Sequence, residues 1–482
     1  MENHRARRIY CNRTLNLRAI KAIGYDMDYT LIHYRTREWE AHAYRHTVRL
    51  FQERGWPTGG LEFDPELIIR GLIVDTQLGN LLKVNRFGFV RHAFHGTRPL
   101  SHEETKSVYG RIIVDIADPR FVVMNTLFSL SEATLYAQYV DMRDRGELTG
   151  VLGYEDLYRK VRATVDYAHL EGRLKGEIIA NPETFVDLDE LTPLALLDQH
   201  HAGKKLLLIT NSEWHYSNAM MSYAFDAFLP ASMTWRDLFD LVIVEARKPS
   251  FFMHRNNPAF RVVDDDGRLV PAREGVELGG VFLGGNATQV QNATGLDGEE
   301  ILYVGDHIYS DVHVSKDVQR WRTALVLREI EDEIEIIEAF ESRRQELEKL
   351  MADKEALESE SYQVKLELQR AKAGYGPQAD RDPEASKSRL EELRAKLMEL
   401  DQEIRPIAAA ADGLLNENWG LLMRAGNDKS QLARQVEQYA DIYMSRVSSF
   451  LAHTPFAYLR SARGSLPHDP HPIPEEHFAE PA

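Results

Sequence analysis

The chain of 482 residues is 43% hydrophobic and 28% charged, which excludes a mostly disordered polymer and leaves room for about two to four domains. Asp and Glu number 75 against 58 Lys and Arg, a net charge of −17, which argues against a general binder of nucleic-acid polymers. The acidity is uneven: residues 1–330 carry −6, 331–410 carry −8, 411–464 carry +1 and 465–482 carry −4.

The first twenty residues carry charges but no apolar stretch of the signal-peptide kind. No run of 18 apolar residues offers a membrane span, so no membrane partner is expected. Cys11 is the single cysteine, which excludes an intrachain disulfide and fits a reducing, cytoplasmic setting.

Along the chain, short apolar runs that end on polar residues predict parallel strands. The first is Ala22 to Tyr25, running into Asp26. The next is Lys205 to Ile209, running into Thr210. Leu241 to Val244, Ile301 to Gly305 and Ala324 to Leu327 follow. The interval between Tyr25 and Lys205 is too long for one crossover and predicts an inserted domain. Within it, Leu130 to Met142 and Tyr154 to Leu170 carry helical patterns, and Phe121 to Met124 reads as a strand.

From Phe340 the pattern changes. Phe340, Leu347, Leu350, Leu357, Val364, Leu368 and Ala371 follow a heptad, with Lys354 and Ser361 in two of its core slots. After Gly374 to Pro377, a second heptad runs through Leu390, Leu393, Leu397, Leu400 and Ile404. This predicts an antiparallel helical hairpin turning near 374–384, either packed on itself or used as an oligomer contact. The proline-rich end, with His468, His471 and His477, reads as a solvated tail.

Asp26-Met27-Asp28-Tyr29-Thr30 stands directly after the first strand. Two carboxylates so spaced can divide a phosphoryl transfer, one as nucleophile and one as acid/base. Alone, the pair reads more readily as a solvated turn or helix start. The other strand ends change the weighing. Thr210, Asn211 and Ser212 suit a phosphate cradle, Lys248 supplies a cation, and Asp306 and Asp311 supply hard oxygens for Mg²⁺. Gly284-Gly285-Asn286 is a loop without the spacing of a nucleotide-binding fingerprint.

These elements, DMDYTL, TNS, ARKPSFF and GDHIYSD, resemble the cytosolic purine 5′-nucleotidase family of the haloacid dehalogenase superfamily. The similarity covers most of 8–330 and resumes over about 411–468, with Asn125 to Phe128, Trp321 to Thr323 and Gln435-Val436 also matching. The resemblance implies an α/β fold. Its Rossmann-like core would comprise residues 1–32, 181–330 and the C-terminal helical part 411–466. A cap over 33–180, the hairpin over 331–410 and a tail over 467–482 complete the expected division.

It further implies Asp26 as nucleophile and Mg²⁺ ligand, and Asp28 as acid/base with its backbone carbonyl on the metal. Thr210, Asn211, Ser212 and Lys175 would hold phosphate. Lys248 would be the catalytic lysine, and Asp306 and Asp311 would anchor Mg²⁺. On this reading four carboxylates gather at the metal, offset by Mg²⁺, Lys248, Arg162 and Lys175.

Arg162, Asp166 and His169 fall on one helical face. Alone they read as a solvated surface, but the resemblance makes them, with Phe128 and Ser129, the set that reads the base. Ser129 stands where the family has asparagine, and Leu170 where it has tyrosine. The implied substrate is a purine nucleoside 5′-monophosphate, with a nucleoside as possible phosphate acceptor and a homo-oligomer, dimer or tetramer, as the assembly. Another small phosphomonoester, or a scaffold on an inactive core, are the competing readings. The family's nucleotide effector site keeps Gln435 and Tyr439 here, but Gln438 replaces an arginine. Loss of that guanidinium predicts weak or absent activation by adenine nucleotides.

Overall fold

The structure is a computed structural model that describes residues 5–170, 172–377 and 382–462. The proline-rich tail expected over 467–482, with its three histidines, lies outside the described residues.

Apolar runs buried on both faces become a parallel sheet because only a central position hides both sides of a strand. Seven strands run parallel: β1 (Ala22–Tyr25), β2 (Lys205–Ile209), β3 (Leu241–Val244), β4 (Val281–Gly284), β5 (Ile301–Gly305), β6 (Arg322–Val326) and β7 (Ile442–Met444). Their spatial order is β7-β6-β5-β1-β2-β3-β4. Tyr10–Cys11 pairs antiparallel with β7 at one edge, and Ala259–Val262 with Leu269–Pro271 extends the other edge beyond β4. All four residues of β1 are buried, and Tyr25 lies in register with Leu208 of β2 and Val304 of β5.

The chain leaves β1 toward β2, β3 and β4, then returns to β5 on the other side. The carboxyl end of β1 is therefore the switch point of the sheet, where open α/β sheets leave a crevice for ligands. Asp26 is the next residue.

Between β1 and β2 the chain builds a second body. Five antiparallel strands lie in the order Arg98–Pro99, Val90–His95, Asn80–Val84, Ile73–Asp75, Phe121–Val123. The helices beside them include α1 (Thr36–Glu53), α2 (Leu130–Asp144), α3 (Tyr154–Leu170) and α4 (Arg173–Ala180), with a further helix at His102–Tyr109. Tyr44, Phe51, Leu81, Tyr136, Tyr139, Leu157 and Val161 form a core distinct from the one on the parallel sheet.

Two long helices follow β6: α5 (Glu341–Ala373) and α6 (Pro383–Asp412). At 1.5 Å per residue α5 alone spans about 50 Å. Val364 and Leu393 are buried between them, as are the small side chains of Ser361 and Ser386. Lys354 meets Asp401 at 2.6 Å and Arg389 meets Glu360 at 2.8 Å, which sets the two helices antiparallel. Among the described residues no helix is long and apolar enough to cross a membrane.

Candidate active site

The loop after β1 turns at once. The Asp26 N–H donates to Val304 O at 2.9 Å, and the N–H groups of Leu31 and Ile32 return to Met27 O at 2.9 and 3.0 Å. Tyr29 takes a left-handed conformation (φ 54°). These constraints fix the Asp26 carboxylate at the strand tip, only 8% exposed.

Lys248 arrives from the loop after β3, which bends through left-handed Glu245 (φ 45°) and Arg247 (φ 59°). Non-glycine residues in that region persist where the surroundings over-determine them. The Lys248 Nζ lies 2.8 Å from Asp26 Oδ1 and 2.8 Å from Asp311 Oδ1. It also donates to Tyr303 OH at 3.1 Å, and that hydroxyl donates to Ile209 O at 2.9 Å. Three strand tips are thus tied through one ammonium. Gly305 makes the approach possible, since a Cβ there would stand 2.5 Å from the Asp311 Cβ.

Asp26, Asp306 and Asp311 are all buried, with ligand oxygens mutually within 4.8 Å. Burial pushes Asp26 well above the usual carboxylate range. Lys248 opposes that shift, and Asp311 and Asp306 add to it. Burial likewise raises Asp306 to about 7, opposed first by Arg70. For Lys248, burial acts downward, but Asp26 and Asp311 outweigh it and the ammonium is held well above its ordinary value. Three buried carboxylates cluster here and only two of them, Asp26 and Asp311, contact the Lys248 ammonium, so negative charge is in excess. A hard divalent cation suits this donor set.

The Asp28 carboxylate does not join that group. Its Oδ1 accepts from Tyr34 OH at 2.5 Å and its Oδ2 accepts from Ser212 Oγ at 2.7 Å. The expected gathering of four carboxylates is therefore corrected to three, because two hydroxyls hold the fourth to one side.

At the tip of β2, the buried Thr210 Oγ1 accepts from Ser212 N at 3.0 Å. Asn211 is exposed, and its side chain accepts from Lys248 N at 2.7 Å and donates to Lys248 O at 3.4 Å. Thr210 and Asn211 thus shape the loop and dock Lys248. Ser212 receives a hydrogen bond from Lys175 Nζ at 3.2 Å, and that ammonium also meets Glu213 at 2.7 Å. Lys175 on α4 is accordingly brought to the site by the second body.

The aromatic side chains form a wall beside this centre. The half-buried Phe128 ring packs edgewise on Tyr29 (4.7 Å between centroids), Trp39 (5.6 Å) and His169 (5.8 Å). Burial lowers His169 to about 4, with Lys175, Arg162 and His46 adding to the shift, so its ring is neutral near pH 7. Ser129 is buried at the start of α2. Arg162 Nε lies 3.2 Å from Asp166, so these two residues pair with each other on α3.

The model of the 5′ nucleotidase family matches residues 9–471. The chain belongs to that family. A 5′-nucleotidase domain-containing protein of Dictyostelium discoideum is 28% identical over 473 residues, covering 96% of this chain and 74% of that protein. The human 5′-nucleotidase domain-containing protein 2 is 28% identical over 457 residues, covering 92% of this chain and 81% of that protein.

Several residues of this 5′-nucleotidase site escaped the sequence reading. Tyr34 and Tyr303 are hydroxyl partners of Asp28 and Lys248. Arg70, 2% exposed, donates to the carbonyls of Asp306 and, at 3.0 Å, Asn125, and pairs with Glu329 at 3.5 Å. Thr126 Oγ1 donates to Asp306 Oδ2 at 3.3 Å. Arg70 and Thr126 belong to the segment between β1 and β2, so that segment reaches the carboxylate cluster directly. Nothing local in the sequence signals them. The position of Tyr34, six residues past Asp28, is the nearest to a readable cue.

Proposed function

We propose that this 5′-nucleotidase is Mg²⁺-dependent and hydrolyses purine nucleoside 5′-monophosphates of the IMP and GMP type through an aspartyl phosphate. The observation that carries the reading is the pairing of two unlike carboxylates at one strand tip. Asp26 is buried against Lys248 in an acidic trio, and Asp28 is half-buried on two hydroxyls.

In the first step an Asp26 oxygen attacks phosphorus, the bond from phosphorus to the nucleoside 5′-oxygen breaks, and the Asp28 proton passes to that oxygen. In the second, Asp28 takes a proton from water while the water oxygen attacks phosphorus. The bond from phosphorus to Asp26 breaks and inorganic phosphate leaves. A nucleoside 5′-hydroxyl in place of water gives phosphotransfer. Tyr34 and Ser212 hold Asp28 in line, and Lys248 steadies Asp26 by its ion pair. Asp26, Asp306, Asp311 and the Asp28 carbonyl would hold Mg²⁺, which when bound screens the phosphate dianion from the carboxylates. Lys175 and Ser212 meet the phosphate.

The core is of the haloacid dehalogenase type, with residues 33–180 as its cap. Phe128 and His169 stack on the base, Asp166 accepts its N1–H and Arg162 donates to its 6-oxo group. The chain works in the cytoplasm as a homo-oligomer to which α5 and α6 contribute. A phosphate-release panel over purine and pyrimidine monophosphates and sugar phosphates, with and without Mg²⁺, tests the reading. It expects Mg²⁺-dependent release that is strongest for 6-oxopurine nucleotides. Equal release from sugar phosphates, or release without a divalent cation, would contradict it.

A further inference from the structure

Glu132 lies in the first turn of α2, its side chain 3% exposed. It accepts from Tyr158 OH at 2.6 Å. Arg162 Nη1 donates to both of its oxygens, at 3.0 and 3.4 Å. The reaction outlined above uses neither Glu132 nor Tyr158. A carboxylate taken out of water at this depth is costly unless its partners are well placed, and removing one partner leaves the other stranded.

Arg162 is the opposite kind of residue. Its side chain is 48% exposed, and on an open helix face a long arginine samples many rotamers. Here two carboxylates clamp it. Nη1 is engaged by Glu132 and Nε by Asp166, at 3.3 Å to Asp166 Oδ2. A guanidinium is planar with five N–H donors, so two fixed edges fix the third. The Nη2 N–H pair has no hydrogen-bond acceptor among the described residues.

We infer that Glu132, itself held by Tyr158, is a positioning residue for base recognition, fixing the Arg162 guanidinium so that its unengaged Nη2 N–H pair meets an exocyclic oxygen of the substrate base. The inference rests on the purine-nucleotide reading above and sharpens it. A fixed donor pair accepts a 6-oxo group and is mismatched with a 6-amino group, because two donors then face each other. A loosened guanidinium loses both the affinity and the discrimination, while the phosphate and carboxylate chemistry at β1 is untouched.

The test compares wild type with Glu132→Gln, Glu132→Asp and Tyr158→Phe on inosine 5′-monophosphate, adenosine 5′-monophosphate and base-free ribose 5-phosphate. Glu132→Gln is expected to raise KM for inosine monophosphate by about tenfold with kcat changed less than about twofold. The preference for inosine over adenosine monophosphate falls with it, and kcat/KM for ribose 5-phosphate stays within about twofold. Tyr158→Phe, which removes one hydroxyl, moves the same quantities the same way by less and serves if Glu132→Gln does not fold. Glu132→Asp keeps the charge and recovers part of the preference. An unchanged preference in both Glu132→Gln and Tyr158→Phe overturns the inference, as does a parallel loss on ribose 5-phosphate. Wild type that handles all three substrates alike overturns the purine reading itself, and that failure is visible before any variant is made.

Discussion

The strand-tip cluster and the Arg162 face of α3 are held in opposite ways. At the tips of β1, β3 and β5, Asp26, Lys248, Asp306 and Asp311 are almost wholly buried, and Lys248 ties Asp26 to Asp311 through two short ion pairs. On α3, Arg162 and Asp166 stand about half exposed and take their order from each other and from Glu132. The first region gains strength because low local dielectric magnifies each charge, at the cost of needing every charge matched. The second stays partly exposed, and the buried Glu132 carboxylate gives it a fixed edge. On the proposed function, chemistry is set by the strand tips of the sheet and selectivity by packing between helices.

The contrast predicts a graded series of effects. Asp26→Asn should lower kcat by at least about a thousandfold while the circular dichroism spectrum stays that of wild type, because the proposed nucleophile alone is lost. Normal turnover in that variant would end the covalent route. Next, Lys248→Met leaves Asp26 and Asp311 without their shared cation and should cost about 3–5 kcal/mol of stability by urea unfolding. A loss below about 1 kcal/mol would place the pair on the weak, solvent-screened side of the comparison. On the cap, Phe128→Ala should raise KM for purine nucleotides by about tenfold and change kcat little.

A pH prediction follows from Glu40 in α1. Burial raises its carboxyl to about 8 from an ordinary 4.5, partly offset by the Ser131 N–H that donates to it at 2.8 Å. The folded state then binds more protons than the unfolded state between those values. The Glu40 contribution to stability is present below pH 4.5 and is lost as pH rises through about 8. Glu40→Gln, which keeps an acceptor for Ser131, should be more stable than wild type at pH 8 by roughly a few kcal/mol and level with it near pH 4.5. Parallel stability profiles for the two proteins would show that Glu40 is ionised without cost. The smallest expected effect is that of ATP, at under about twofold on the rate, since Gln438 offers no guanidinium to its phosphates.

The strand-tip cluster was largely legible in the sequence because parallel strands buried on both faces show as unbroken apolar runs with a polar residue at the end. Ala22 to Asp26 and Ile301 to Asp306 are of this kind. β4, with only Phe282 fully buried among its four residues, and the three-residue β7 did not stand out as apolar runs. In the inserted body the strand Asn80–Val84 hides two polar residues, Asn80 and Lys83, whose partners Tyr109 and Leu421 lie far along the chain. Asp28 illustrates a different limit. Its place in the motif is visible, but its turn toward Tyr34 and Ser212 depends on side chains from other elements. Glu132 was silent for the same reason: its partner Arg162 sits thirty residues on, in another helix.

The most direct measurement is to mix the enzyme with a purine nucleoside 5′-monophosphate and Mg²⁺, quench in acid within one turnover, and map covalent phosphate by mass spectrometry. The buried trio and its lysine predict phosphate on Asp26, formed at least as fast as turnover and absent in Asp26→Asn. Steady turnover with no phosphate on Asp26, or phosphate on another residue, would contradict the account.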